Sequence, residues 1–144
     1  MHRKKGFTIL ELMIVIAVIA ILVGIALPRF KGMKDEGKIA KAKGELRTLQ
    51  TAIESYNMHI GSYPSSLASL TTATPNLVGA TLPTDPFTTS SNYGYVTDGD
   101  YFVVYSVGPG GNGSASIDDE GEVTETNGTS CIYSTNGSPV DTQP

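Results

Sequence analysis

From Phe7 to Leu27 the chain runs for twenty-one residues with only two polar side chains, Thr8 and Glu11, and from Leu12 to Leu27 it has none. At 1.5 Å per residue a helix of that length spans a hydrocarbon core of about 30 Å. His2-Arg3-Lys4-Lys5 precede the run. A positive flank stays on the cytoplasmic side, which predicts an N-in, C-out topology with the remainder translocated. A secretory signal would have a shorter apolar region followed by a small-residue cleavage site. Here Pro28-Arg29-Phe30-Lys31 and a helix-like pattern follow instead, so the apolar segment is expected to stay. With roughly the first 55 residues committed to an anchor and a long helix, fewer than about 90 remain for a small globular core.

The net charge of -4 conceals an asymmetry. All ten Lys and Arg lie at or before Arg47, and ten of the fourteen acids come after it. Phosphate backbones are bound by clustered Lys and Arg, so the C-terminal part is a poor nucleic-acid ligand, although a basic stripe at Lys38, Lys41 and Lys43 remains. Cys131 is the only cysteine, which excludes an intrachain disulfide.

Gly24 and Pro28 interrupt the apolar helix, and proline's missing donor predicts a kink or local melting near residues 24 to 28, or else simply the membrane exit. Beyond Gly37, Ile39, Ala42, Leu46, Leu49, Ile53, Tyr56 and Ile60 recur at spacings of three and four. They form one face of a helix running to about Ile60, which Gly61 ends. Residues 65–91, rich in Ser, Thr, Ala and Pro, read as loop with one short helix near Ser66 to Leu70, and Phe87 is expected to dock on the domain. Tyr93 to Val96 and Tyr101 to Val107 flank Asp98-Gly99, a hairpin signal. Weaker strands are predicted at Ser114 to Ile117 and Glu122 to Thr126 around an Asp118-Asp119-Glu120-Gly121 turn. The fold class is α+β, a long N-terminal helix packed on a small antiparallel sheet, with a loosely ordered tail over 127–144.

Gly6-Phe7-Thr8-Ile9-Leu10-Glu11-Leu12-Met13-Ile14-Val15 resembles the class III signal of type IV pilins and of the pseudopilins of type II secretion. The resemblance implies a pilin-like fold. It also implies cleavage by a prepilin peptidase between Gly6 and Phe7 and methylation of the new amino terminus on Phe7. Residues 1–6 would then be a leader, 7–28 the transmembrane and assembly helix, 29–60 its amphipathic continuation, and 61–126 a small β domain. A lone carboxylate at membrane depth costs a few kcal/mol by insertion scales, so Glu11 asks for a partner. The cationic amine of Phe7, in the same helix or in a neighbouring subunit, can supply one, and the acid would then set the packing register.

Gly61-Ser62-Tyr63-Pro64, Leu82-Pro83-Thr84-Asp85-Pro86-Phe87 and Tyr105-Ser106-Val107-Gly108 make the second half most like the major pseudopilins. In that family the glycine-rich loop binds calcium, an ion that takes six to eight oxygen ligands. Asp118 and Asp119, with carbonyl oxygens of Ser106 and Val107, are the candidates here, although Gly108-Pro109-Gly110-Gly111 stands where the family usually has an acid. No phosphate loop, serine-nucleophile elbow or metal-ligand histidine pair is present, and no enzymatic activity is expected. The expectation is therefore a structural subunit of a homo-oligomeric periplasmic pseudopilus, projecting from the bacterial inner membrane. Its implied partners are the peptidase, an inner-membrane assembly platform and minor pseudopilins, with no nucleic acid. The alternative is a type IV pilin of a surface filament for adhesion, motility or DNA uptake.

Overall fold

The computed structural model describes residues 6–126 and 131–138, apart from the side chains of residues 28–32. The chain divides into two compact units, residues 1–36 and 37–144.

Helix α1, Ile9–Ile60, is assigned as one element of 52 residues. It passes through Gly24 and Pro28 without a break. Proline forfeits one hydrogen bond, and the backbone stays helical on either side of that loss, so the melting expected there is not observed. In the first unit Ile9–Leu27 is long and apolar enough to cross a membrane, and none of it is buried. The helix starts on a capping box. Thr8 N and Oγ1 both donate to Glu11 Oε2 at 2.9 Å, and Glu11 N donates back to Thr8 Oγ1 at 3.2 Å. Two orphan donors of the first turn are satisfied in this way.

In the second unit α1 buries the face that its spacing predicts, through Ala42, Leu46, Leu49, Ala52 and Ile53. Ile39 and Tyr56 are partly buried at its margin. Ile60 departs from expectation and is exposed, because the helix stops there and the chain leaves through Gly61 at φ +85. The short helix, α2, is Ser69–Thr72, a few residues later than expected and preceded by turns from Ser66 and Leu67.

The sheet is not single. Strands β1 (Gly94–Thr97), β2 (Phe102–Ser106) and β5 (Ile132–Thr135) form one antiparallel sheet in the order β1-β2-β5. Strands β3 (Ser114–Ile117) and β4 (Val123–Thr126) form a separate hairpin. Because side chains alternate along a strand, β2 serves two cores. Phe102 and Val104 join Leu46, Leu49, Ile53, Leu70 and Ile132 on the helix side, whereas Val103 packs with Ala115, Val123, Cys131 and Tyr133 against the hairpin. The second unit is therefore three-layered: helix, three-stranded sheet, two-stranded hairpin. Strand β5 corrects the expected loose tail within the described residues. Cys131, Ile132 and Tyr133 are buried, and Ser106 pairs with Ile132 at the far end of the ladder. Three apolar or aromatic residues suffice because β2 already offers an unpaired edge. The rest of the expected tail, 127–130 and 139–144, lies outside the described residues.

Candidate functional site

The N-terminal site is built from the helix start. Gly6, Phe7 and Thr8 precede the first helical residue and are exposed, Phe7 at 89%. The Gly6–Phe7 peptide therefore lies outside the helical hydrogen bonding, and a Cβ added at Gly6 would meet nothing within 4 Å. A peptidase can engage such a bond without unwinding the helix. Glu11, expected to need a partner, has one in Thr8 of its own first turn. Both contacts use Oε2, and Oε1 accepts no hydrogen bond among the described residues. The short Thr-x-x-Glu spacing was a readable capping signal that the apolar context obscured.

The loop after β2 is organised by a residue that sequence reasoning passed over. Asp85 is 2% exposed. Its Oδ1 accepts from Ser106 Oγ at 2.8 Å and from Phe87 N at 3.0 Å, and its Oδ2 accepts from Val107 N at 2.8 Å. Ser106 Oγ in turn accepts from Gly108 N at 3.2 Å. The carboxylate thus ties the Pro83–Phe87 strip to the end of β2 and the start of the glycine loop. The loop closes where Gly113 N donates to Val107 O at 3.0 Å. A Cβ on Gly113 would stand 2.6 Å from that carbonyl, so the close approach requires glycine. The only available signal was an acid set between two prolines at a turn, which says nothing about its distant partners.

The four expected calcium ligands fall into two groups. Ser106 and Val107 sit where β2 ends, with the Val107 carbonyl engaged by Gly113. Asp118 and Asp119 sit in the β3–β4 turn, where Asp118 Oδ1 accepts from Glu120 N at 3.1 Å and Glu122 N at 2.7 Å. Strand β3 lies between them, and the step from Gly113 to Asp118 is about 16 Å at the strand rise. Ligands of one calcium lie within about 5 Å of each other. The far turn is also anchored elsewhere, since a Cβ on Gly121 would meet the Tyr101 ring at 2.8 Å, at the opposite end of β2 from Ser106. These residues do not fit one cation. Among the described residues no three His, Cys, Asp or Glu side chains are grouped to hold a metal ion.

One further contact fixes α1 beside the sheet. Tyr93 donates to Glu45 Oε2 at 2.6 Å, and burial first, then Glu45, raises its phenol above the ordinary value. Burial, followed by Glu125 and Asp85, pushes the Cys131 thiol up to about 12, so this lone cysteine is an inert core residue.

An apolar helix with a capped, exposed start, continuing into a helix that covers a small antiparallel β domain, defines a pilin-like filament subunit. The prokaryotic N-terminal methylation motif matches residues 1–27, and the family described as type II secretion system (T2SS), protein G, matches residues 29–125. The chain belongs to the type II secretion system protein G family, and as a pseudopilin it is a structural subunit for type II secretion. Type II secretion system core protein G of Klebsiella pneumoniae is 30% identical over 126 residues, covering 77% of this chain and 89% of the relative. The protein of that name from Pseudomonas aeruginosa is 26% identical over 133 residues, covering 82% and 92%. Fimbrial protein EcpB of Eikenella corrodens is 46% identical over 61 residues, covering 42% and 38%. No solved structure matches.

Proposed function

We propose that the chain is cut between Gly6 and Phe7 by a prepilin peptidase, methylated on Phe7, and polymerised through its apolar helix into a periplasmic pseudopilus. The observation that carries this reading is the exposed, non-helical Gly6–Phe7 peptide two residues ahead of a 52-residue helix whose first half is apolar and unburied. Before assembly the subunit sits in the inner membrane with the basic leader inside and the β domain outside. An assembly platform and minor pseudopilins are its working partners. Its role is structural. Glu11 retains a carboxylate oxygen to receive the Phe7 amine of a neighbour, while Thr8 holds the other oxygen.

Gly6→Val replaces the small residue before the scissile bond and should leave an uncut precursor in the membrane. In a bacterium lacking its own protein G, the unaltered chain should restore export of a secreted enzyme and the Gly6→Val chain should not. A mature Gly6→Val product starting at methylated Phe7 would show that the bond is misassigned. The surface-pilin reading draws on 44 to 46% identity to fimbrial proteins, but over 36 to 38% of their length. Protein G relatives are covered over 84 to 92% in four of the matches, which favours the secretion reading.

A further inference from the structure

The second unit carries a group of cations on α1 and a group of exposed acids on two turns. Its cations all lie on α1, at Lys38, Lys41, Lys43 and Arg47. Lys41 pairs with Glu45 at 3.8 Å, and Lys38 lies over the Phe87 ring, 5.5 Å from its centre. Lys43 and Arg47, one helical turn apart, flank a groove of about 220 Å³ between α1 and β5, lined also by Leu46, Ile132, Tyr133 and Ser134. Both cations are exposed, and the Arg47 guanidinium has no ion-pair partner among the described residues.

The exposed acids gather on two turns. Asp98 and Asp100 stand in the β1–β2 turn, and Asp118, Asp119 and Glu120 in the β3–β4 turn, all exposed. One segment fastens both turns: Asn136 Nδ2 donates to the Asp100 carbonyl at 3.1 Å, and Ser138 N donates to the Gly121 carbonyl at 2.8 Å. From Ile132 at the groove to Asn136 at the acidic end is four residues of strand, about 13 Å. From Arg47 to Ile60 along α1 is about 20 Å. The groove and the acidic turns therefore lie apart on one molecule.

We propose that the Lys43–Arg47 groove docks the acidic end of a second copy of this chain, carrying Asp118, Asp119 and their neighbours Asp98 and Asp100. The proposal rests on the reading of the chain as a filament subunit. A patch that meets a different patch on the next copy makes a head-to-tail contact, and such a contact propagates as an open filament instead of closing as a dimer. Opposite charge on the two patches sets direction and register and rejects the reversed orientation, in which acid would face acid. Beyond Arg47 the chain carries no Lys or Arg, so the acidic turns have no cation among their sequence neighbours, and α1 of another copy can supply one.

The test uses the full chain in its membrane with the secretion machinery present, and reads sheared filament by sedimentation. Lys43→Glu with Arg47→Glu should lower filament yield at least about tenfold, as should Asp118→Lys with Asp119→Lys, because each places like charges across the contact. Combining all four substitutions restores opposite charges and should recover most of the yield. In a separate chain, Arg47→Cys with Asp119→Cys should give an oxidised ladder longer than a dimer, with buried Cys131 taking no part. Full yield from either charge-reversed pair would overturn the docking while leaving the filament reading intact. So would loss without recovery in the fourfold variant, the pattern expected if the groove binds lipid headgroups or another component. If the unaltered chain forms no filament, the filament reading fails and the docking fails with it.

Discussion

Asp85→Ala tests the account of the globular unit most directly. The carboxylate accepts three hydrogen bonds from Ser106 Oγ, Val107 N and Phe87 N, all between 2.8 and 3.0 Å. Hydrogen bonds to a charged group contribute about 1.5–3 kcal/mol each, so the gross loss is about 4.5–9 kcal/mol. Burying the carboxylate costs several kcal/mol in desolvation, which alanine relieves. The substitution also strands the Val107 N–H and the buried Ser106 hydroxyl, at about 1–3 kcal/mol for an unmet group. A net destabilisation of about 3–5 kcal/mol follows, within the range for breaking a buried polar network. At about 4 °C per kcal/mol for a unit of this size, the melting temperature should fall by about 12–20 °C. The measurement is near-ultraviolet circular dichroism of the full chain in detergent micelles. Tyr95, Tyr105 and Tyr133 lie in the folded sheet and Tyr93 is buried beside it, whereas the anchor contains no tyrosine, so the signal reports the β domain. Asp85→Asn keeps one acceptor but turns an amide donor toward one of the three partners, and should fall between alanine and the unaltered chain. A melting temperature for Asp85→Ala within about 4 °C of the unaltered chain, a shift of only about 1 kcal/mol, would refute the claim that this carboxylate holds the loop.

Melting curves in millimolar calcium and in chelator should coincide, because Ser106 and Val107 are separated from Asp118 and Asp119 by the length of β3. A hundredfold excess of a bound ion would add about 2.7 kcal/mol, so a calcium-dependent rise lost on Asp118→Ala with Asp119→Ala would restore the metal. Stability should also fall in alkali. Burial pushes both the Tyr95 phenol and the Cys131 thiol up to about 12 when folded. The unfolded groups ionise near about 10 and 8.5, so the folded chain's preference is complete below those values and is lost as pH rises toward 12. Denaturant midpoints measured from pH 8 to 12 should hold steady and then decline, and a midpoint rising through that interval would contradict the burial of both groups. Glu11→Val should insert in the membrane yet give few filaments, since insertion becomes easier while the acid's partner is lost. Glu11→Gln separates cap from charge, because glutamine can serve in a capping box. Normal filament yield from Glu11→Gln would reduce the acid to its Thr8 cap.

The sequence by itself determined whatever depends on neighbours a few residues apart. The spacing of Ala42, Leu46, Leu49 and Ile53 placed the buried face of α1, Gly61 marked its end, and Asp98-Gly99 located the first hairpin. These are local periods and local turn chemistry, legible because a helix repeats every 3.6 residues and a strand every two. The N-terminal methylation motif was legible too, as a compact pattern at the head of an apolar run. Tertiary structure alone decided which distant pieces meet. Strand β5 came from a segment whose composition suggested a loose tail, because the free edge of β2 supplied the hydrogen bonds and two cores supplied the cover for Cys131, Ile132 and Tyr133. Asp85 became the centre of the loop because Ser106 and Val107 arrive more than twenty residues later. The candidate calcium ligands were taken from the family resemblance, yet β3 runs between the two pairs and holds them apart. The asymmetry of charge was countable in the chain, but only the tertiary structure brought the two acidic turns together under one segment. Contacts across long sequence separations are set by packing of whole layers, and no local pattern encodes which layer a short strand will join.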